Sequence, residues 1–372
     1  MALIEKNVRR RNVRPKPTNR FCGRSSHRLR ELRLVGLLAA VTLFVAACAT
    51  TTPAPPKTSS NKLPSVTIGA AYTPNLGSAA ALAAALHMGY FKAQGLIVHA
   101  VPFQSAPLEF AAMQAGNVQF LAMGPGAMSF PMKGLGAKYL FSDNISLSDA
   151  VIGNKADGVT TPASLAGKDV LLPIGTTAQI ILLETLHLAG LPLSAVHIVN
   201  SAPDESITGF LANSAPAMAG WAPNTTEVLT KDSSAVTLAS DRTFYPKVAL
   251  ASSWGVSSSY AAQHPEVVKR FVTAMLEGAT YRTEHMSNAV AWVSQMTGTP
   301  QQLNAQSIHD WGWFTGRQMV ENYTSGKVQG WMQLLNKFFV EAGIMPKQVP
   351  FASYSLADVV KGACAAARSC PG

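Results

Sequence analysis

Two short loops in this sequence combine residue types that suit the binding of a small solute. Gly124-Pro125-Gly126 allows close backbone approach, and the helix predicted after it offers unpaired N–H groups to an anion. Thr176 and Thr177 lie at a second predicted helix start, where hydroxyls and amides could hold a sulfonate or a carboxylate. The alternative is that a threonine only caps its helix. Two such helix starts facing each other would favour the binding interpretation.

The other candidate ligand-binding residues share a place at predicted strand ends: Tyr72, Asn75, Gln104, Ser105, Trp221 and Asn224. Trp221 could cover an apolar part of the ligand or belong to the hydrophobic core, and the sequence favours the two about equally. Gln104, Ser105 and Asn75 could recognise polar groups or only make turns, because such residues often bond their own backbone. No Arg falls in these loops, so an anion would depend on amides and hydroxyls, or the ligand is neutral.

Residues for catalysis or metal binding do not form a recognisable pattern. The eight His are scattered without metal-ligand spacing, and His187 and His197 fit a helix face and a strand. Neither a nucleophile elbow nor a phosphate loop is present. No cysteine lies between Cys48 and Cys364. We therefore predict no catalytic residue, no metal site and no cofactor.

An internal repeat indicates how the chain positions these loops. Gln104-Ser105-Ala106-Pro107 and Asn200-Ser201-Ala202-Pro203 share three residues of four, and each follows a strand, a helix and a second strand. One βαβαβ plan is thus used twice. Two copies predict an α/β protein with two lobes, each a small, mostly parallel sheet flanked by helices. The ligand cleft is expected between the lobes, at the carboxyl ends of the strands.

The repeat predicts the domain boundaries. Lobe 1 is expected at 65–157 plus 247–357, and lobe 2 at 158–246, with the polar stretch 155–164 as a crossing point. Residues 150–154 are predicted as a strand of lobe 1. Residues 358–372 are predicted to form a C-terminal tail.

The net charge of +10 is concentrated at the start of the chain. Residues 1–33 hold eleven Lys or Arg and two Glu, a net of +9, whereas the chain from Cys48 onward has 19 basic and 18 acidic residues. The body therefore lacks the basic surface that nucleic-acid binding requires. We predict no nucleic-acid partner.

Residues 1–47 are predicted to be a lipoprotein signal peptide. A basic segment is followed by an apolar run at 34–47, which is too short for an ordinary transmembrane helix. Val45-Ala46-Ala47-Cys48 resembles the bacterial lipobox, in which the cysteine is acylated; the alternative is an apolar segment that happens to end in Cys. The Thr/Pro/Ser-rich stretch that follows predicts a flexible tether at 48–64.

Two cysteines remain near the C-terminus. Cys364 and Cys370 could form a disulfide in an oxidising compartment, or stay as two free thiols. The sequence leaves both possibilities open.

Several short motifs together carry a family resemblance over most of the mature chain. They occur in order as VTIG at 66–69, GYFKAQGL at 89–96, VPFQS at 101–105, QAGNVQF at 114–120, LAGK at 165–168, GWAP at 220–223 and HPEVVK at 264–269. The sequence resembles the solute-binding proteins of ABC importers in the nitrate, taurine and aliphatic-sulfonate (NMT1/THI5-like) group.

The resemblance implies a binder rather than an enzyme. It implies the type II periplasmic-binding-protein fold, capture of a small organic solute by lobe closure, and delivery to a membrane permease driven by an ATPase. The protein would be exported, anchored through lipid on Cys48 and facing the periplasm or cell exterior. We expect a monomer.

The family resemblance is compatible with more than one class of ligand. Taurine-binding relatives place an acidic residue before the tryptophan that matches Trp254, whereas this chain has Ser252-Ser253-Trp254. A sulfonate, taurine or nitrate-like anion is favoured, and a neutral heterocyclic vitamin precursor is the alternative.

Two alternatives of other classes stay open. The group resembles sulfinate desulfinases and thiamine-pyrimidine synthases, but those enzymes depend on a cysteine that this body lacks. A lipid-anchored adhesin or sensor partner is also compatible with the sequence.

Overall fold

The computed structural model describes residues 63–367 of the 372-residue chain. The predicted signal peptide, Cys48, the tether through residue 62 and Cys370 lie outside the described residues. The strands are β1 Val66–Tyr72, β2 Leu96–Pro102, β3 Phe120–Met123, β4 Ala137–Ser146, β5 Ala150–Asn154, β6 Asp169–Leu172, β7 His197–Asn200, β8 Ala217–Gly220, β9 Ala235–Ser240, β10 Leu250–Ser257 and β11 Trp311–Trp313.

Helices occupy most of the remaining described chain. They are α1 Leu76–His87, α2 Tyr90–Ala93, α3 Ala106–Gln114, α4 Ser129–Met132, α5 Thr177–Leu188, α6 Pro203–Leu211, α7 Asn224–Lys231, α8 Asp241–Phe244, α9 Ser258–Gln263, α10 Pro265–Glu284, α11 Met286–Thr297, α12 Gln301–Gln306, α13 Gly316–Thr324, α14 Lys327–Glu341, α15 Phe351–Tyr354 and α16 Asp358–Cys364. Over residues 63–367, none of the helices has the length and apolar character needed to cross a bilayer.

The predicted repeat is confirmed as two β-α-β-α-β units. The unit β1-α1-β2-α3-β3 places its parallel strands in the order β2-β1-β3, and β6-α5-β7-α6-β8 gives the matching order β7-β6-β8. The first unit belongs to a six-stranded sheet, β11-β4-β10-β3-β1-β2, which we call lobe 1 with its helices. The second belongs to a five-stranded sheet, β7-β6-β8-β5-β9, which we call lobe 2.

Each sheet contains an antiparallel strand that the chain forms on arriving from the other lobe. β5 lies antiparallel between β8 and β9, and β10 lies antiparallel between β3 and β4. The crossing segments are therefore residues 147–149 and 241–249. This differs from our placement of residues 150–154 in lobe 1: β5 is buried over its whole length because it fills the middle of the lobe 2 sheet. The polar residues after it form a 3₁₀ turn, Lys155–Asp157, within lobe 2.

Tight helix packing holds the start of α1 at the edge of the lobe 1 sheet. The alanines and the leucine of residues 79–85 are fully buried. A Cβ atom on Gly278 of α10 would lie 2.5 Å from the Ala81 carbonyl oxygen. Glycine at position 278 therefore lets α10 touch the backbone of α1.

The end of the described chain packs into lobe 1 instead of forming the expected tail. α16 contributes Val360 and Ala363 to the hydrophobic core around α1 and α10. Cys364 is disulfide-bonded. Its pairing with Cys370 stays a prediction.

Candidate ligand-binding site between the lobes

The carboxyl ends of β1, β2 and β3 form one edge of lobe 1. Tyr72 and Pro102 end β1 and β2 and are register partners. The Phe103 backbone N–H donates to the Tyr72 carbonyl over 3.0 Å. The loops that carry the candidates at 72–75 and at 104–105 therefore lie side by side.

In the first of these loops, both candidate side chains make contacts within the protein. Tyr72 is buried, and its hydroxyl donates to the Met296 carbonyl over 3.3 Å. Asn75 is the N-cap of α1, and its Oδ1 accepts the Ser78 backbone N–H at 2.9 Å. The turn interpretation of Asn75 is what the structure shows.

In the second loop, the polar candidate side chains do not make capping hydrogen bonds. Gln104 is exposed, and Ser105 is the N-cap residue of α3. The Ser105 carbonyl accepts the Leu108 N–H, but its hydroxyl makes no capping hydrogen bond. Both side chains are free of the structural role that occupies Asn75.

The two loops with the strongest binding signal meet across the lobes. A Cβ atom on Gly126 would lie 3.0 Å from the Thr176 Cα and 3.1 Å from the Gly175 carbonyl oxygen. Gly124, by contrast, has open space where a Cβ would stand. The structure therefore brings 126 of lobe 1 and 175–176 of lobe 2 together in a closed arrangement.

The start of α5 uses one of its two threonines as a cap. The Thr176 hydroxyl donates to the Pro173 carbonyl over 2.7 Å and accepts the Ala178 N–H over 3.3 Å. The capping alternative is thus observed for Thr176. Thr177 is among the groups that lower the pKa of Asp149, a residue of the first crossing segment, although burial raises it overall.

Trp221 and Asn224 lie together in lobe 2. Trp221 is partly buried and packs against the core that surrounds α5. With Asn224, Pro173 and Met218 it borders a small pocket of about 10 Å³, the space of one water. Packing in the core therefore accounts for much of the Trp221 side chain.

A side of α5 forms a second contact between the lobes. Ile180 and Leu183 are buried in a hydrophobic cluster together with lobe 1 residues such as Met128 and Leu335. At the end of the helix, His187 Nε2 lies 2.8 Å from Glu341 Oε1 of α14. The sequence placed His187 on a helix face but gave no sign of a partner 154 residues away.

Two buried carboxyl-bearing residues connect the crossing segments through hydrogen bonds. The sequence analysis did not identify either of them. The Asp149 backbone N–H donates to Asp241 Oδ2 over 2.9 Å, and the Asp241 N–H donates to the Asp149 carbonyl over 3.0 Å. Ser146 donates to Asp149 Oδ2 over 2.5 Å. Burial raises the pKa of both carboxyls, and for Asp241 the nearby Asp149 charge raises the pKa further. Asp149 immediately precedes β5, and Asp241 immediately follows β9. Two acids at these chain positions were the available signal in the sequence.

A third missed acid, Glu109, lies in the first turn of α3. Thr73 donates its hydroxyl to Glu109 Oε1 over 2.9 Å. Burial raises the Glu109 pKa to about 8, and the Thr73 hydrogen bond lowers it only in part. An acid between two apolar residues, Leu108 and Phe110, on a helix whose inner face is buried was the available signal.

Other features of the described residues do not add a competing centre. No group of three or more His, Cys, Asp or Glu within 63–367 has the arrangement of a metal site. A surface pocket of about 490 Å³ lies in lobe 1, bordered by residues such as Tyr323, Phe351 and Lys361. None of the sequence-predicted site residues lines that pocket.

Similar sequences are known as binding proteins. The chain is 25% identical over 276 residues to a Brucella abortus (strain 2308) protein named as a binding protein, covering 74% of this chain and 86% of the relative. It is 26% identical over 157 residues to the taurine-binding periplasmic protein of Escherichia coli K12, covering 42% and 47%.

Solved structures share the fold at low sequence identity. The sulfonate-binding protein SsuA of Methylobacillus flagellatus KT matches with a TM-score of 0.66 at 15% identity, over 81% of this chain and 94% of that one. The alkanesulfonate-binding SsuA of Xanthomonas axonopodis pv. citri matches with a TM-score of 0.61 at 17% identity, over 79% and 99%. The desulfurization enzyme DSZB has the same fold, with a TM-score of 0.60 at 15% identity, over 81% and 99%.

These neighbours confirm the two-lobed α/β fold that the repeat predicted and the periplasmic-binding-protein fold that the resemblance implied. The family model described as NMT1/THI5 like matches residues 77–289, which is more than half of the chain. The chain therefore belongs to the NMT1/THI5-like family.

Proposed function

We propose that this protein is the solute-binding component of an ABC importer. It captures a small organic solute between its lobes and delivers the solute to a membrane permease coupled to an ATPase. The observation that carries the proposal is the contact of Gly126 with Gly175 and Thr176, because the loops of both lobes that were predicted to hold ligand face each other there. Membership of the family supports the same role.

The favoured solute is a sulfonate, taurine or a nitrate-like anion. Support comes from the taurine-binding relative and from the alkanesulfonate-binding structures. A neutral heterocyclic precursor is the second candidate, because the five predicted cleft loops (72–77, 104–107, 124–126, 175–177 and 221–224) contain no Lys, Arg or His.

Binding is favoured over catalysis, although a desulfurization enzyme shares the fold. Within residues 63–367 the one cysteine is Cys364, and its sulfur is held in a disulfide. A thiolate nucleophile is therefore not offered by the described residues. The proposal needs no cofactor.

The proposal includes export and lipid anchoring through Cys48, with the lobes outside the cytoplasmic membrane as a monomer. The lipobox-like Val45-Ala46-Ala47-Cys48 supports it. Metabolic labelling with a palmitate analogue should mark the wild type and leave Cys48→Ala unlabelled. Equal labelling of both would contradict the anchor.

The experiment for the function is a thermal-shift screen of the purified protein against sulfonates, taurine, nitrate, carboxylates and pyrimidines. A ligand at a hundred times its dissociation constant should stabilise the native state by about 2.7 kcal/mol. Uptake of the hit by the native host should fall when the gene is deleted and return with the wild-type copy. Uptake that is unchanged by deletion would contradict the importer role.

A further inference from the structure

Glu109 is a buried carboxyl with half of its hydrogen-bonding capacity unused. The side chain is 0% exposed. Oε1 accepts the Thr73 hydroxyl at 2.9 Å, whereas Oε2 has no hydrogen-bond partner. Among the described residues, no Lys, Arg or His forms an ion pair with it. A buried acid without a cation is costly to a fold, so its presence calls for a role other than stability.

Glu109 lies at the edge of lobe 1 where two of the predicted cleft loops, 72–77 and 104–107, lie side by side. Thr73 directly follows β1, and α3 directly follows the loop at the end of β2, so Glu109 lies at the edge where the parallel strands end. The next residue, Phe110, stacks on Phe130 with ring centroids 4.2 Å apart. Phe110 also shares its hydrophobic cluster with Ile180 of α5. The first turn of α3, which carries Glu109, therefore contributes to the hydrophobic cluster that reaches lobe 2.

The charges around the junction of the lobes complement a cation better than an anion. The predicted cleft loops carry no positive side chain. The buried acids of the crossing segments, Asp149 and Asp241, have the same sign as Glu109. An ammonium group would bring to the Glu109 carboxylate both the N–H donors and the charge that the protein does not supply.

We propose that Glu109 is a ligand-recognition residue of the cleft and that it receives the ammonium group of an amine-bearing solute. The inference rests on the proposed function, because it requires that the solute enters between the lobes. It narrows the solute class to amines and zwitterions.

The proposal predicts a characteristic pH dependence. Burial holds the Glu109 pKa at about 8, so binding of an ammonium must release a proton from this carboxyl below that pH. Affinity should then rise about tenfold for each pH unit as the pH increases toward about 8. No charged group is among the causes of the Glu109 shift. The pKa values of Asp149 and Asp241 are also raised. The comparison of the wild type with Glu109→Gln, described below, separates their contribution to the pH dependence from that of Glu109.

The experiment compares two probe pairs by calorimetry: taurine with ethanesulfonate, and β-alanine with propanoate. We expect the amine-bearing member of a pair to bind at least tenfold more tightly to the wild type, with the preference and its pH dependence lost in Glu109→Gln. Glutamine keeps the volume and the acceptor for Thr73, and thermal unfolding checks that the variant folds. Glu205→Gln, at the same position of the second repeat, should retain the wild-type preference.

Other outcomes overturn the inference in distinguishable ways. Equal binding of both members of a pair would refute the role of Glu109 and leave the proposed function standing. Binding to neither pair would refute the amine class, whereas a hit among other solutes in the thermal-shift screen would still support the importer. An unchanged amine preference in Glu109→Gln would assign recognition to another residue.

Discussion

The two copies of the Ser-Ala-Pro motif place a glutamate at the same position in surroundings that differ completely. In lobe 2, Glu205 is exposed, and its Oε2 accepts the Ala202 backbone N–H at 3.0 Å at the start of α6. In lobe 1, Glu109 is buried and bonds Thr73 of a neighbouring loop. Glu205 caps its own helix, which is an ordinary structural role. Glu109 does not accept a hydrogen bond from a backbone N–H of its own helix, and we therefore assign it to ligand binding.

The difference shows how a repeated unit can divide its tasks. The helix start is kept in both lobes, but the buried face differs by one position. α3 buries Glu109, Phe110 and Met113, whereas α6 buries residues 206, 207 and 210, which correspond to 110, 111 and 114. A shift of one residue turns a helical side chain by about 100°. The glutamate that points along the surface in one lobe therefore points inward in the other.

The largest expected effect is on the pH dependence of stability. The Glu109 pKa is raised from its ordinary 4.5 to about 8 by burial, so the native state holds a proton that the unfolded chain has lost between those values. The free energy of unfolding should fall by about 1.4 kcal/mol per pH unit over that range through this group. Glu109→Gln should remove that slope, and Glu205→Gln should leave it.

Urea denaturation of the three proteins from about pH 5 to about pH 8 measures the difference. The acids of the crossing segments contribute to all three slopes alike. A wild-type slope that matches that of Glu109→Gln would show that Glu109 is ionised in the folded protein.

An intermediate effect is expected from the glycines between β3 and α4. Gly126→Val places methyl groups against the Thr176 backbone, and such overpacking costs about 1 to 3 kcal/mol unless the lobes separate. We expect a larger radius of gyration in solution scattering and weaker binding of the identified solute. Gly124→Val is the control for the scattering measurement, because its Cβ meets nothing within 4 Å. Identical scattering of the two variants would argue against the closed arrangement.

The smallest effect is expected at the histidines. His187 joins α5 to Glu341 of lobe 1 at 2.8 Å, whereas His197 pairs with Asp169 of its own lobe at 3.2 Å. Exposed pairs contribute less than about 1 kcal/mol. His187→Gln should nonetheless increase hydrogen exchange in α5 and α14, because it weakens contact between lobes, and His197→Gln should not. Equal exchange in both variants would mean that the apolar contacts of Ile180 and Leu183 suffice.

The repeated architecture was predictable because its signals are local. Alanine and leucine at helical spacing, glycine after each helix, and short apolar strands repeat in the same order in both units. The helix start at Thr176-Thr177 and the strand that holds His197 were both predicted, and they are present as α5 and β7. Local propensity and hydrophobic pattern agree in these segments, which is the condition for reading structure from sequence.

The features that were missed depend on contacts between distant parts of the chain. Residues 150–154 look like any buried strand, and nothing in them shows which sheet they join. The partners of His187, Asp149 and Glu109 lie 154, 92 and 36 residues away. Asn75 and Thr176 were weighed as ligand contacts or caps, and only the bonded geometry shows that both cap helices.

The antiparallel strand β10 constrains the order in which the chain can acquire its structure. β3 and β4 do not pair with each other, because β10 lies between them and is made only after all of lobe 2. Lobe 2, by contrast, draws its strands from one continuous stretch, 150–240. During synthesis from the N-terminus, lobe 2 can therefore fold before β10, a central strand of the lobe 1 sheet, has been made. A protein truncated near residue 245 would keep the five-stranded sheet whole, whereas lobe 1 would retain the paired strands β2, β1 and β3 and a separate β4.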